Sequence, residues 1–455
     1  MRVLLVQPPR RDRRDPGLAV PPLGLAHVAG ALRAAGHAVA VLDARAEGLG
    51  WAQLGPRIAL ARADLVGVTA MSPVADLAAR TCAIARPHAR WLILGGPHPS
   101  AVGAEVFREI PTLDLAVEGE AEESAPEVLA WLAGGAHGEP PAGARVLGRA
   151  FRPRDPPARL DLLPPPARDL LPRRGYHHLL ASARPWATLV SSRGCPHRCT
   201  FCDHSVAGYT WRARSAPSLL EELDGLVAAG VRHVHFYDDG FTRDRARVLD
   251  LARGLAVRAR PLGWNCEARV DEVDPELLAA MARGGCRLVA FGVESASAAT
   301  LTRLAKGFTP AQVERAFSQA HAAGLRTLAY AILGSPAEGP AEVATTLRFV
   351  RALGADYAQF STLAAYPGAP LGAAPGLRRD LRGPLDADAQ RAVLTDLPAG
   401  DLRRWLIRAW GGFYLRPGPL LRLAGASLRS GAWRDAPRLG LAVAGWGVRH
   451  QQFTF

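Results

Sequence analysis

Apolar, β-branched runs alternate with helical patterns in two separate series along this 455-residue chain, and that alternation predicts an α/β protein built on two parallel sheets. Three observations carry the prediction. The first series, over residues 1–135, has runs at 2–6, 38–42, 64–69, 91–94 and 114–117, with helical patterns at 23–35, 51–61, 73–85, 99–108 and 122–132. The second has runs at 188–190, 231–237, 263–266, 287–291, 327–333 and 358–363, each ending on glycine or polar residues. Between them, residues 134–186 are crowded with Pro, Gly and Arg, including Pro164-Pro165-Pro166, where little regular structure can persist. The expected domains are therefore a doubly wound parallel sheet over 1–135, a linker over 136–185, a partial TIM-like (β/α)6 barrel over 186–375 and a basic helical region over 376–455.

Composition narrows the function classes. Apolar residues make up 49% of the chain, enough for a core in each domain, yet the longest apolar runs fall well short of the ~18 residues that span a bilayer. The N-terminus also lacks the charged start and apolar run of a signal peptide, so a cytoplasmic location is expected. The formal net charge of +13 invites a nucleic-acid reading, but Lys306 is the only lysine and the arginines are scattered, with no dense basic run interleaved with aromatics. An anionic substrate, a phosphate-bearing cofactor or an acidic membrane surface suits that charge equally well.

Three of the six cysteines, Cys195, Cys199 and Cys202, fall within eight residues, directly after a strand pattern and a glycine. Three thiolates on one loop can hold three irons of a [4Fe–4S] cluster and leave the fourth iron open to another ligand. A zinc knuckle is the rival, because His197 and His204 flank the thiols and Cys3His is a tetrahedral zinc set. No second C-x-x-C stretch accompanies the loop, as a structural zinc site usually requires. Cys266 and Cys286 lie in or beside strand patterns and read as small core residues, a methyl-carrying thiol being the alternative.

The later strands of the second series deliver acids and glycines to one mouth: Asp238-Asp239-Gly240, Glu267-Ala268-Arg269, Gly292-Val293-Glu294 and Gly334-Ser335-Pro336. With the cysteine loop they resemble the radical S-adenosylmethionine (SAM) superfamily. The resemblance implies that Cys195, Cys199 and Cys202 hold the cluster, that Phe201 lies in the SAM site, and that Asp238 and Asp239 take the place of the acidic motif that contacts the SAM amino group. Glu294 matches the acid that faces the ribose, and Gly334 belongs to the adenine-contacting turn.

The first series has its own strand-end loops: Gln7-Pro8-Pro9, Thr69-Ala70-Met71-Ser72, Gly95-Gly96-Pro97-His98 and Glu118-Gly119-Glu120. No G-x-G-x-x-G follows the first strand, which weighs against a dinucleotide. Together these loops resemble the cobalamin-binding domain that precedes many radical SAM enzymes, with Thr69, Met71, Ser72, Gly95, Gly96, His98, Glu118 and Gly119 as its implied contacts. The D-x-H-x-x-G motif is absent, so His98 is expected to line the nucleotide tail rather than ligate cobalt, and Met71 or Ser72 to lie nearest the lower face. A degenerate flavodoxin-like domain that binds nothing is the plain alternative.

Beyond residue 376, helical patterns at 386–397, 401–410 and 419–428 carry Trp405, Trp410, Phe413, Tyr414, Trp433 and Trp446, and the run from Phe413 to Pro417 resembles the tail of several cobalamin-dependent members. These helices read either as a cover over the barrel mouth or as a peripheral membrane contact. The resemblance as a whole implies a methyltransferase acting on an unactivated carbon of a small or hydrophobic biosynthetic intermediate, through a 5′-deoxyadenosyl radical and methylcobalamin, with an electron donor such as flavodoxin or ferredoxin. The alternatives are an oxidative cyclase of the kind that acts on porphyrin esters, or a rearrangement enzyme, and, from another class, a zinc-knuckle nucleic-acid-binding protein.

Overall fold

The structure is a computed structural model that describes residues 1–11, 19–373 and 395–429. It divides into two compact units, one made of Met1–Tyr176, Cys202–Gly208 and Tyr366–Asp386, the other of His177–Phe201, Tyr209–Ala365 and Ala387–Phe455.

The first unit is a sheet of β1 (Arg2–Gln7), β2 (Ala38–Asp43), β3 (Leu65–Thr69), β4 (Trp91–Gly95), β5 (Leu115–Val117) and β6 (Ala144–Arg145) in the order β2-β1-β3-β4-β5-β6. The first five are parallel and only β6 runs antiparallel. Parallel strands in this order need crossovers, supplied by α1 (Leu23–Ala34), α2 (Trp51–Leu60), α3 (Ala75–Ala85), α4 (Pro97–Val102), α5 (Val106–Glu109) and α6 (Ala121–Ala133). The pleat sorts the apolar residues into two cores. Leu4, Val6, Val66, Val68, Leu92 and Leu94 pack on Leu54 and Ile58 of α2 and Ala78 and Cys82 of α3. Val3, Leu5, Leu65, Ile93 and Leu115 pack on Leu25, Ala29 and Leu32 of α1 and Val128, Leu129 and Leu132 of α6. Period-two strands buried on both faces are what the unbroken apolar runs foretold.

Residues expected to form a free linker pack on this unit. The Ala167 N–H donates to Ala26 O at 2.8 Å, Tyr176 Oη donates to Asp43 at 2.9 Å, and Arg33 makes paired bonds to Asp169 at 2.7 and 2.8 Å. Gly30 is the close approach that permits it, since a Cβ there would stand 2.1 Å from Pro165 O. The proline-rich stretch is thus tied to α1 by one backbone bond and a side-chain pair, and to β2 by the Tyr176 hydroxyl.

The second unit is a six-stranded all-parallel partial barrel of β7 (Trp186–Leu189), β10 (His233–Phe236), β11 (Gly263–Ala268), β12 (Cys286–Glu294), β13 (Arg326–Leu333) and β14 (Tyr357–Thr362), in sequential order. A two-stranded hairpin of β8 (Ser192–Arg193) and β9 (Arg212–Ala213) follows β7. The crossover helices are α7 (Ala216–Ala228), α8 (Arg245–Ala256), α9 (Pro275–Arg283), α10 (Ala298–Arg303), α11 (Pro310–Ala322) and α12 (Pro340–Ala352). Each of α7 to α11 begins on a Ser, Asp or Thr whose side chain accepts a backbone N–H of the first turn.

The chain closes on α13 (Ala399–Tyr414) and α14 (Pro417–Arg429). Tyr414 Oη donates to Ala358 O at 2.7 Å and accepts the Ala358 N–H at 3.0 Å, and Trp410 donates to Phe360 O at 3.2 Å. The aromatics of α13 therefore satisfy the outer edge of β14, which would otherwise present unpaired backbone groups. That is the role these contacts give Trp410 and Tyr414. The expected helix at 386–397 falls, from 386 to 394, outside the described residues, as do Trp433 and Trp446. No helix among the described residues is long and apolar enough to cross a membrane.

Candidate active site

The cysteine loop is held from below by an acid. β7 ends at Leu189, and Ser191 and Ser192 just beyond it are fully buried. Asp238, two residues past the β10 tip, accepts the Ser191 N–H at 2.7 Å and the Ser192 hydroxyl at 2.7 Å, and also takes the Ser191 hydroxyl. Arg247 of α8 donates to Ser191 Oγ at 2.9 Å and to Phe241 O at 3.0 Å. Burial raises the Asp238 carboxyl above its usual range, and the nearby Arg247 guanidinium offsets this only partly. Asp238, expected at the SAM amino group, has Ser191, Ser192 and Arg247 as its partners within the protein.

Its neighbour Asp239 is exposed and accepts the Gly194 N–H at 2.8 Å. Gly194 sits at φ +80°, where a side chain would be strained, so the turn into Cys195 relies on glycine. The far side of the loop is strapped to the segment after α10. The Thr200 N–H donates to Leu304 O at 3.1 Å and the Cys199 thiol lies 3.9 Å from Ala305 O. Cys195, Cys199 and Cys202 take part in no disulfide, and burial pushes the Cys195 thiol up. The other three cysteines are buried core residues: Cys266 is 0% and Cys286 3% exposed, and burial drives the Cys266 thiol far above its usual value.

Glu294 ends β12 in a left-handed conformation, φ +58°, and meets Lys306 at 2.9 Å. Gly292 makes room for the pair: a Cβ there would stand 2.6 Å from Glu294 Oε1 and 3.3 Å from Lys306 Nζ. The ammonium also lies 5.5 Å from the Phe201 ring centre and 5.4 Å from that of Phe308. Gly334, φ +80°, opens the turn after β13, where Glu338 accepts the N–H groups of Gly334 and Ser335 at 2.7 and 3.0 Å. A Cβ on Gly334 would touch Leu402 of α13 at 3.0 Å.

In the first unit the strand-end loops interlock. Gly96, φ +100°, packs so closely that a Cβ would meet Ala70 O at 2.8 Å and Thr69 Oγ1 at 3.0 Å. Ser100 Oγ donates to Gly96 O at 3.0 Å and accepts the Gly119 N–H at 2.9 Å, joining the β4 and β5 loops. Glu118 pairs with Arg145. His98 is fully buried, with Ser72 Oγ 3.2 Å from one ring nitrogen and Glu109 2.7 Å from the other. Both nitrogens have partners, so His98 braces the loops where it was expected to line the nucleotide tail as well. Met71 stands 54% exposed beyond them, and no atom lies within 4 Å of a Cβ built on Gly95. A rim of glycine backbone and one projecting apolar side chain suits a broad, flat ligand.

His197, one of the two histidines flanking the thiols, lies 3.2 Å from Glu272. Comparison with known proteins then decides the family. Residues 189–350 match the radical SAM superfamily and residues 13–129 match the B12 binding domain. An uncharacterized methyltransferase of Pyrococcus horikoshii, PH0819, is 34% identical over 381 residues and matches 82% of either chain.

The chain belongs to the B12-binding radical SAM family.

Its cofactors are accordingly a [4Fe–4S] cluster, SAM and cobalamin. The enzyme is also 27% identical to the anaerobic magnesium-protoporphyrin IX monomethyl ester cyclase of Rubrivivax gelatinosus, over 81% of this chain and 68% of the cyclase. Among solved structures it shares its fold with the radical SAM methyltransferase TsrM of Kitasatospora setae, at 22% identity and a TM-score of 0.70 over 82% of this chain and 75% of that one. The cobalamin-dependent SAM radical enzyme OxsB gives a TM-score of 0.66 at 21% identity, over 76% of this chain and 51% of OxsB.

The residues fit these groups. The donor set is three thiols outside any disulfide on one braced loop, which suits a cluster with one open iron. Two neighbours of these strand-end acids escaped the sequence reading: Lys306, which pairs with Glu294, and Tyr330, whose hydroxyl donates to Glu267 at 3.0 Å. Lys306 carried a signal, being the only lysine of an arginine-rich chain.

Proposed function

We propose that the enzyme methylates an unactivated carbon of a small-molecule substrate. The observation that carries the reading is the continuous match to a methyltransferase across both the B12-binding and the radical SAM regions. Cys195, Cys199 and Cys202 would hold the cluster; Asp239, Glu294 and Gly334 would hold SAM; the loops bearing Thr69, Met71, Gly95, Gly96 and Gly119 would hold cobalamin. When bound, these groups supply a 5′-deoxyadenosyl radical that takes a hydrogen atom from substrate and a methyl group that replaces it.

The chain's own residues orient and shield. Asp238 and Arg247 fix the root of the thiol loop, so that each thiolate is presented without reorganisation. Lys306 holds Glu294 aimed through their buried 2.9 Å ion pair. The Cys199–Ala305 and Thr200–Leu304 contacts cover one side of the loop against solvent. A low-potential one-electron donor, flavodoxin or ferredoxin, would reduce the cluster.

The test is anaerobic incubation of the reconstituted enzyme with a small-molecule extract and SAM carrying a CD3 group. A product that gains CD3 together with 5′-deoxyadenosine supports the reading. Substrate consumption and 5′-deoxyadenosine with no label in any product would overturn it in favour of a cyclisation, the chemistry named for the 27%-identical relative.

A further inference from the structure

The SAM site uses Asp239 and Glu294 and leaves a third carboxylate of the barrel without a task. Glu267 lies on β11 and bonds the Tyr330 hydroxyl of β13 at 3.0 Å, across the intervening β12. The register puts both on the lumen face, because Glu267 pairs with Ala290 and Tyr330 with Gly292. Alternation sends Cys266, the neighbour of Glu267, into the core on the opposite face.

The lumen face is polar in two tiers. In the lower tier Thr188, His235 and Asn265 are paired across β7, β10 and β11 and are at most 3% exposed. Thr188 Oγ1, both ring nitrogens of His235 and Asn265 Oδ1 have no hydrogen-bond partner in the protein. Burial holds His235 neutral, so this tier is an uncharged, water-accepting floor. In the upper tier Tyr237, Glu267 and Tyr330 are partly accessible, and the Tyr237 hydroxyl also lacks a protein partner. Buried polar groups without partners are costly, and a barrel that gathers them on one face is built to receive something polar.

Charge says what. Glu267 faces Asp239 and Glu294 across the mouth, and burial, with these acids adding to it, pushes its carboxyl up to about 7. The cations of this mouth are committed elsewhere, Lys306 to Glu294 at 2.9 Å and Arg269 to Asp271 at 2.9 Å. We propose that Glu267, flanked by Tyr330 and Tyr237, is the substrate seat of the barrel and takes the ammonium group of a small amine-bearing substrate. This deepens, and rests on, the methyl-transfer reading, and it replaces the hydrophobic substrate expected from the tail helices.

Equilibrium dialysis of the reconstituted holoenzyme against millimolar tyramine, 4-ethylphenol and 4-hydroxyphenylacetate tests it, since the three share a para-substituted phenol and carry a cation, no charge and an anion at the other end. Wild type should retain tyramine about tenfold better than either analogue, and Glu267→Gln should lose that preference, with iron content, bound cobalt and substrate-free cleavage of SAM unchanged. Equal retention of the three probes by wild type, or a preference that survives in Glu267→Gln, overturns the proposal. Loss of SAM cleavage in the variant also overturns it, by assigning Glu267 to SAM. Should the variant fail to reconstitute, wild type alone decides: tyramine retention should rise as pH climbs through about 7, where Glu267 ionises, and a flat profile rejects the assignment. None of these arms reads methyl transfer, so an enzyme that moves no methyl group would still separate the probes.

Discussion

Lys306 donates to Glu294 at 2.9 Å, and both side chains are less than a tenth exposed. Breaking a buried pair from one side strands the other charge, at a cost of about 3–5 kcal/mol. Lys306→Met should therefore destabilise the enzyme by roughly that much in chemical denaturation and weaken SAM binding. Gly292→Ala, which drives a methyl group into the pair, should produce the same SAM defect without removing either charge.

Asp238→Asn leaves every thiol in place. It nevertheless weakens the acceptor of two Ser191 bonds and one Ser192 bond and leaves Arg247 buried beside a neutral group. The expected outcome is a fall in iron per chain on anaerobic reconstitution, with stability lower by about 3 kcal/mol. Iron content equal to wild type would show that the thiol loop holds its shape without the clamp.

Cys266→Ala and Cys286→Ala should leave the iron content unchanged, since both thiols are sealed in the core. Cys195→Ala, Cys199→Ala and Cys202→Ala should each lose the absorbance of the cluster. Metal analysis of the five variants separates ligands from packing residues.

The Glu267 carboxyl, raised to about 7 from an ordinary 4.5, binds a proton more tightly in the folded chain than in the unfolded one. Its favourable contribution is complete below about 4 and is lost as pH rises through about 7. Glu267→Gln removes that loss. The variant should become more stable than wild type by up to about 3 kcal/mol as pH climbs from 4 to 8, measured by urea denaturation without substrate. Parallel curves for the two proteins would mean that the carboxyl titrates normally.

His98→Ala leaves Ser72 and Glu109 without their shared partner. Cobalamin retention should fall together with the stability of the first unit, by about 1–3 kcal/mol. If His98 lined the cofactor instead, retention would fall while stability held.

The order of strands and the three thiols were readable from the chain because each depends on local chemistry. A strand buried on both faces is a continuous apolar run such as 2–6 or 91–94, and ligand spacing on a single loop is a matter of sequence distance. Side-chain commitments were less legible. Asp238 and Asp239 are adjacent and chemically identical, yet the pleat turns one into the root of the thiol loop and leaves the other exposed. The contacts of His98 with Glu109 and Ser72 carried no signal in the sequence.

By itself, then, the sequence determined the class of chemistry: two βα series, three clustered thiols, and acids and glycines at successive strand ends. Only the tertiary structure decided which acid serves which partner. Glu294 finds Lys306 twelve residues on, Glu267 finds Tyr330 sixty-three residues on, and Asp238 reaches back forty-seven to Ser191. A carboxylate's role is set by the donors and charges within a few ångströms of it, and those neighbours are brought together by strand register and barrel curvature rather than by position along the chain.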